Sequence, residues 1–261
     1  MGSTAGLERF LAGIGRMGTD MKKLILVLIL ALLPGLSFAG SQEIRSVVGM
    51  AKVQGATYTT VFSDDFNRAD SGTVGGSWTS ESDIEGKLGV VSNALHYADD
   101  SATASYIAKT VSSPGNGAEI KVAFDYAVND ITWAAANKYL QIAVGRTAGA
   151  VSWSVSVESD RVFTSVYNEA STATSVYTNY SFVADTTYTF EVFFRSATGT
   201  GVSDGYFTLK INGAEVYSLP NFGNYGKTNV DHRFGPGYTS SWTADDGLDI
   251  TLDNYNYATK D

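Results

Sequence analysis

Three acidic residues in alternation offer the sharpest enzymatic chemistry in this sequence of 261 residues. In an extended strand Glu81, Asp83 and Glu85 project from the same face. Two carboxyl groups so arranged are close enough to serve as the acid and the nucleophile of glycoside hydrolysis. The flanking Ser80 and Lys87 instead indicate a solvated strand or turn, which lacks the burial that raises the pKa of a catalytic acid. A charge-rich turn is therefore the first expectation and a hydrolase is the alternative.

Other catalytic chemistries find little support. The chain has no cysteine, so a thiol nucleophile and a lipid-modified cysteine are excluded. Its two histidines, His96 and His232, lack the partner spacing of a metal pair or a catalytic triad. These observations favour binding over catalysis.

Aromatic residues in polar, Gly-rich contexts are the best candidates for a binding site. The C–H faces of sugar rings stack on aromatic side chains, while amides and charged groups bind the hydroxyls. The sequence contains 15 Tyr and 4 Trp, many of which must belong to the core. The remaining aromatics and their polar neighbours form the predicted ligand site: Trp133, Asn137, Asn224, Tyr225, Arg233, Tyr238 and Trp242. Alternatively, these rings act as lids of loops that fold over the core.

Short β-strands are the elements that would position these residues. From Tyr58 onward, alternating runs are separated by Gly, Asn, Asp and Ser, a pattern typical of strands joined by turns. Segment 150–157 is the clearest, with Trp and Val on one face and Ser152, Ser154 and Ser156 predicted to face outward. Asn212-Gly213 predicts a type I′ hairpin. Further strands are predicted at 88–97, 103–110, 119–127, 138–146, 161–167, 188–194, 207–211, 214–219, 231–238 and 248–257. This pattern predicts an all-β fold, a two-sheet antiparallel jelly-roll sandwich.

Four short motifs follow one another in this region: FSDDFNRADSGTVGGSW, GKLGVVSNAL, FTLKINGAEV and LDITLDNYNY. In this order they resemble the concanavalin A-like lectin/glucanase superfamily, specifically its laminin-G-like jelly rolls. The resemblance covers about residues 58–261 and implies that Trp78, like the alternating Trp153, belongs to the core. Because the superfamily includes sugar-binding modules, glycoside hydrolases, polysaccharide lyases and adhesion domains, the fold alone does not choose the function.

Two motifs are similar to catalytic signatures within this superfamily. The run from Glu81 to Glu85 is similar to the E-x-D-x-E signature of laminarinase-type glycoside hydrolases, but here it follows the first Gly-rich loop instead of lying deep in the chain. The run Tyr139-Leu-Gln141-Ile-Ala143 is similar to the Gln-Ile-His strand of alginate lyases. Ala143 stands where the histidine would be, which puts a lyase in doubt.

The resemblance also implies a structural calcium site. If the first and last strands pair as they do in related jelly rolls, five carboxylates approach one another, and hard oxygen ligands in that number suit Ca²⁺. These residues are Asp64, Asp65, Asp70, Asp249 and Asp253. The alternative is that Asp65 and Asp253 cap turns and pair with Arg68.

The N-terminal region has the three parts of a secretory signal. Lys22 and Lys23 precede the apolar run Leu24–Leu33, and small residues lead to a predicted cleavage after Ala39. The apolar run is too short to span a bilayer comfortably, so we expect no stable membrane span after processing. A retained membrane anchor is the alternative.

The chain is predicted to comprise a leader at 1–39, a linker or added edge strand at 40–57, and one jelly-roll domain at 58–261. Because a signal normally starts with its charged region, translation is predicted to begin at Met21.

The net charge of the chain limits the classes of partner that it can bind. The net charge is −9, and the first 39 residues carry four basic and two acidic groups, which leaves 14 basic and 25 acidic groups in the remainder. A net charge of about −11 repels a phosphate backbone, so nucleic acid is excluded as a partner.

The sequence therefore predicts a secreted or cell-surface, lectin-like module that binds a polysaccharide or glycan without catalysis. One alternative is a structural or adhesive protein of a surface, filament or virion, in which the sandwich edge or segment 41–57 contacts another chain and the protein self-associates. The other alternative is a glycoside hydrolase that uses Glu81 and Glu85.

Overall fold

Fifteen strands make up the regular structure of the described residues, and no helix occurs among them. The computed structural model describes residues 57–83, 86–99, 105–130, 139–158, 160–239 and 248–260. They belong to one compact unit, Ala56–Asp261. No helix in these ranges is long and apolar enough to cross a membrane. The predicted leader, almost all of segment 40–57, Glu85, Trp133, Asn137 and Trp242 lie outside the described residues, as does the side chain of Tyr238.

The strands alternate with short connections along the chain. In order they are β1 (Thr59–Asp64), β2 (Ser80–Ser82), β3 (Leu88–Val91), β4 (Ala94–Asp99), β5 (Tyr106–Thr110), β6 (Glu119–Asp130), β7 (Leu140–Thr147), β8 (Ala150–Val157), β9 (Arg161–Tyr167), β10 (Ala173–Asn179), β11 (Thr186–Arg195), β12 (Gly205–Ile211), β13 (Ala214–Phe222), β14 (Asp231–Thr239) and β15 (Leu248–Lys260). Most of the predicted strands occur within a few residues of their expected bounds.

Two antiparallel sheets contain all of these strands. Sheet A has the order β13-β12-β11-β6-β15-β4-β3, and β1 pairs with a further part of β15. Sheet B has the order β10-β9-β8-β7-β14-β5-β2. The predicted all-β, two-sheet antiparallel sandwich is confirmed.

The core lies between the two sheets and follows the alternation of the strands. In β6 and β11 the inward residues Phe124 and Phe190 are fully buried and stack with ring centroids 5.3 Å apart. Trp153 projects inward from β8 and is 1% exposed, as predicted. Trp78 is half-buried and packs against the core. Period-two burial therefore holds the sheets together through apolar area removed from water.

Strand β8 differs from its prediction on one face. Ser152, Ser154 and Ser156 were expected to face solvent, but they are only 0–3% exposed. The strand lies inside sheet B between β7 and β9, whose larger side chains cover the small hydroxyls. Alternation correctly separated the two faces of β8 but did not reveal that both are buried.

Turn chemistry sets the hairpin registers. Asn212 and Gly213 have φ angles of 51° and 78° and connect Ile211 to its partner Ala214. These positive φ angles are those of a type I′ turn, so the predicted hairpin is confirmed. Strand β10 was not predicted, because its Thr and Ser residues give no apolar alternation.

Candidate functional site: an aromatic platform on sheet B

The outer face of sheet B is defined by the residues that alternate with the core. In β9, Val162 and Val166 belong to the core, so Arg161, Phe163 and Ser165 project from the opposite side. Residues that pair across neighbouring strands project from the same face of a sheet. Phe163 pairs with Ser156 of β8 and with Tyr177 of β10, so these residues also lie on the outer face.

Three aromatic rings form a contiguous surface there, which we name the aromatic platform: Tyr139, Phe163 and Tyr177. The rings of Phe163 and Tyr177 stack with centroids 4.5 Å apart and an interplanar angle of 28°. The ring of Tyr139 lies 5.4 Å from that of Phe163. Tyr177 is 49% exposed, which is high for a large ring. Exposed aromatic groups that contact one another mark interaction sites more often than isolated ones do.

Charged groups border the platform. The Arg161 guanidinium lies 4.6 Å from the centroid of the Tyr177 ring, and its Nε donates a hydrogen bond of 2.5 Å to Glu158 Oε2. The hydrogen bond to Glu158 raises the pKa of Arg161 above its ordinary value, although burial opposes the shift. The cation is thus fixed over the Tyr177 ring by a carboxylate.

Glu158 itself keeps one oxygen unpaired. Its side chain is only 4% exposed, and within the described part of the chain Oε1 has no hydrogen-bond partner. The buried Ser156 Oγ is also unpaired. Buried polar atoms normally have partners, and unsatisfied ones require an explanation such as a water or a ligand. An exposed ring with a fixed cation beside it is a combination that can recognise a sugar ring and its hydroxyls.

Of the predicted ligand residues, Arg233 lies on the same face of sheet B. It projects outward from β14 because its neighbours His232 and Phe234 are buried, and its guanidinium lies 4.3 Å from the centroid of the Tyr106 ring. Strands β7 and β8 separate it from β9, which carries Phe163.

Asn224 has a structural position instead. It is fully buried, its Oδ1 accepts a hydrogen bond of 2.7 Å from Ala197 N, and its Nδ2 donates to Arg195 O. These bonds anchor the connection between β13 and β14. Tyr225, its half-buried neighbour, lies on the same connection. The structure therefore does not bring Asn224 and Tyr225 to the platform.

The carboxylates of Glu81 and Asp83 in the acidic motif accept hydrogen bonds from nearby loop residues. Both carboxylate oxygens of Glu81 accept from Val74 N, at 3.2 and 3.0 Å. Asp83 accepts from three donors: Lys87 N, Leu88 N and Ser105 Oγ. These side chains hold loops, and an acid engaged in this way is not free to protonate a leaving group.

Two other sequence features, Ala143 and a Gly-x-Ser-x-Gly spacing, lie where the fold gives them a structural role. Ala143, at the place of the lyase histidine, is 1% exposed and belongs to the core. The spacing Gly-x-Ser-x-Gly occurs at 201–205, where it connects the antiparallel strands β11 and β12. The nucleophile elbow of α/β-hydrolases is a sharp turn from a strand into a helix, so this loop between two strands does not have that geometry.

The first and last strands pair as the calcium prediction required, with Asp64 opposite Tyr255. The lone pairs of Asp64 are nevertheless engaged by Phe66 N, by both terminal nitrogens of Arg68 and by Trp78 Nε1, at 2.7–3.0 Å. Burial alone would raise the pKa of Asp64, but these hydrogen bonds together lower it. A carboxylate with four donors has no free oxygen for a cation.

Asp249 and Asp70 are engaged elsewhere, whereas Asp65 and Asp253 lie close enough to Asp64 for their charges to interact. Asp249 Oδ1 accepts from His96 Nε2 and Asn129 Nδ2, Asp70 Oδ1 accepts from Ser92 N, and Asp65 Oδ1 accepts from Asn67 N. Burial, followed by repulsion from Asp125, Asp65 and Asp64, raises the pKa of Asp253. Within the described ranges no three His, Asp or Glu side chains group as a metal site would require. Calcium binding stays a prediction.

Comparison with known proteins identifies the fold. The sequence matches no protein-family model and no curated protein. An endo-β-1,4-glucuronan lyase from the fungus Trichoderma reesei is similar in structure, with a TM-score of 0.57 and 15% identity over 77% of this chain and 95% of that chain. The receptor-binding domain of a botulinum neurotoxin C/D mosaic serotype has a TM-score of 0.50 and 13% identity, over 68% of this chain and 41% of that chain. An alginate lyase has a TM-score of 0.45 and 15% identity, over 70% of this chain and 86% of its own.

These proteins are sandwich-fold domains that act on polysaccharides or bind receptors. At such identities the similarity shows a shared sandwich architecture. The chain spans nearly all of the glucuronan lyase but about two fifths of the toxin domain.

Proposed function

We propose that this protein is an exported, non-catalytic carbohydrate-binding module that holds a glycan on the aromatic platform of sheet B. The observation that carries the proposal is the stacked pair of the half-buried Phe163 and the exposed Tyr177, with the Arg161 guanidinium over the Tyr177 ring. The rings would stack on the C–H face of a sugar, and Arg161, held in place by Glu158, would bind its hydroxyls. The secretory signal at 21–39 supports export.

One similar structure supports a carbohydrate ligand, since it is a glucuronan lyase. Concanavalin A-like, laminin-G-like ancestry is part of the same proposal and rests on the order of the four sequence motifs. A binding role is favoured over catalysis because Glu158 is paired with Arg161, while Glu81 and Asp83 are held by donors in their loops. Glu81 and Asp83 are therefore poorly placed to act as a general acid, and Glu158 is buried and ion-paired.

The test is a glycan array followed by calorimetry on the best ligand, with glucuronan and alginate among the probes. Tyr177→Ala should weaken binding about thirtyfold or more, since truncating a central aromatic contact costs roughly 2 kcal/mol or more. The matched control is Phe193→Ala, because Phe193 is a half-buried ring on the outer face of sheet A that also carries cations, Lys121 and Lys210. The control should bind as the unmodified protein does.

Two results would reject the proposal. One is equal loss of binding in both variants, because the platform would then have no special role. The other is release of unsaturated or reducing chain ends from glucuronan, alginate or a bound neutral glucan, because the protein would then be an enzyme.

A further inference from the structure

The two sheets end in strands with very different protection. An exposed edge presents unpaired backbone N–H and C=O groups, and proteins normally shorten, charge, distort or cover such strands. Among the described strands, β1, β3 and β13 lie at edges of sheet A, and β2 and β10 lie at the edges of sheet B.

Four of these edges show the usual protection. Strand β2 has three residues, and β3 has four and is covered by a backbone pairing between Val90 and Ser71. Strand β1 has an irregular register at its second residue. Strand β13 contains Glu215 and Pro220, and its pairing with β12 shifts register twice. Each feature hinders a further strand from pairing.

Strand β10 has none of these features. Its seven residues, ATSVYTN, pair with β9 in an uninterrupted register. The strand contains no proline, and no charged residue occurs from Ala170 to Ala184. Within the described part of the chain no strand pairs with its other side. Thr, Val and Tyr favour extended structure, so the exposed edge is ready to accept another strand.

We propose that the strand accepted there is β10 of a second copy of this protein, in an antiparallel pair across a two-fold axis. A chain with a net charge of −9 repels its own copies, and the neutral edge is where this repulsion is weakest. An axis at Val176 pairs all seven residues, with Thr174 opposite Thr178 and Ser175 opposite Tyr177 of the other copy. The two sheets B then form one continuous sheet.

This association brings the two outer faces together. Ser175 and Tyr177 both project from the outer face of β10, so the two Tyr177 residues become diagonal neighbours, about 7–8 Å apart across the new pair. The dimer itself does not depend on glycan binding, which is measured separately.

The test compares one substitution at two edges. Ser175 is exposed, and its hydroxyl lies 2.8 Å from that of Ser165 on the neighbouring strand. Ser218 of β13 is also exposed, with its hydroxyl 3.3 Å from that of Thr208. Ser175→Lys places a cation on β10. Ser218→Lys makes the same change on β13, the edge that we expect not to pair with a second copy. Circular dichroism establishes that each variant is folded.

Sedimentation equilibrium over a wide concentration range should give twice the monomer mass for the unmodified protein. Ser175→Lys should raise the dimer dissociation constant about tenfold or more, because each introduced cation replaces the small side chain opposite Tyr177 of the other copy and the two cations become diagonal neighbours, about 7–8 Å apart. Ser218→Lys should leave the constant unchanged. A protein that stays monomeric at all concentrations would overturn the proposal, as would a dimer insensitive to Ser175→Lys or equally sensitive to both changes.

Discussion

Acidification should destabilise the fold through His232. This residue is 1% exposed between the sheets, with its ring centroid 4.4 Å from that of Tyr257 and 6.4 Å from that of Trp153. Its Nε2 is 3.1 Å from Asn229 O, and Nδ1 has no partner among the described residues. Burial lowers the pKa of His232 to about 4, and the bond to Asn229 O opposes the shift only in part.

The magnitude follows from the two pKa values. The unfolded chain titrates near 6.5 and the folded one near 4, so the unfolded state binds the proton first. Stability is therefore complete above the unfolded value and is lost as the pH falls from about 6.5 to about 4. A difference of about 2.5 pKa units corresponds to roughly 3 kcal/mol. This is a large fraction of the stability of an ordinary domain.

The assay is urea unfolding of three proteins between pH 7 and pH 4. His232→Gln keeps an N–H donor for Asn229 O but cannot ionise, so its stability should lack this loss of about 3 kcal/mol. His96→Gln removes the half-buried histidine and should retain the loss. Because the chain has two histidines, nuclear magnetic resonance can follow His232 alone in the His96→Gln variant. A His232 ring that titrates near 6.5, or the same pH dependence in all three proteins, would refute the reasoning.

Three further substitutions test the electrostatics and the packing. Asp64→Asn should lower the free energy of unfolding by about 1–3 kcal/mol at pH 7, measured with urea. The difference from the unmodified protein should fade as the pH falls through the lowered pKa of Asp64. An unchanged urea midpoint would contradict this. Asp253→Asn should raise the thermal midpoint at pH 7, because burial and nearby carboxylates raise the pKa of Asp253 and make its charge unfavourable. This gain in midpoint should vanish in acid. A lower midpoint at pH 7 would show that the charge is stabilising. Gly145→Ala should lower the free energy of unfolding by about 1–3 kcal/mol, since the added Cβ would overlap Asn229 Oδ1 and Trp153 Nε1. An unchanged free energy of unfolding would mean that these two groups move freely.

The site shows where sequence patterns stop being informative. Segment 161–167 was predicted as a strand, but the prediction did not assign Phe163 to either face of it. Its stacking partner was not identifiable, because β10 has no apolar alternation and Tyr177 joins Phe163 only through the β9–β10 register. The aromatic composition of the chain predicted a sugar site built from rings in loops, and that prediction stays untested, whereas the proposed platform consists of rings on a strand face.

Asn224 and the aspartates show the same limit for polar residues. Asn224 has the composition of a ligand contact, yet its amide satisfies Ala197 N and Arg195 O inside the fold. Asp64 has the chemistry of a calcium ligand, yet Arg68 and Trp78 engage its oxygens. Whether a polar side chain is free for a ligand depends on which donors surround it, and those donors come from other segments.

The sequence by itself determined that the chain forms strands, which face of most strands is buried, and where a tight turn such as Asn212-Gly213 must reverse the chain. These properties are local, because they follow from side-chain alternation and from backbone conformations that few residues adopt. Only the tertiary structure decided that Tyr139, Phe163 and Tyr177 meet, that the serines of β8 are covered, and that β10 is an edge among the described strands. Strand order and register join residues that are distant in the chain, and pairing between distant strands is not encoded in the pattern of any one strand.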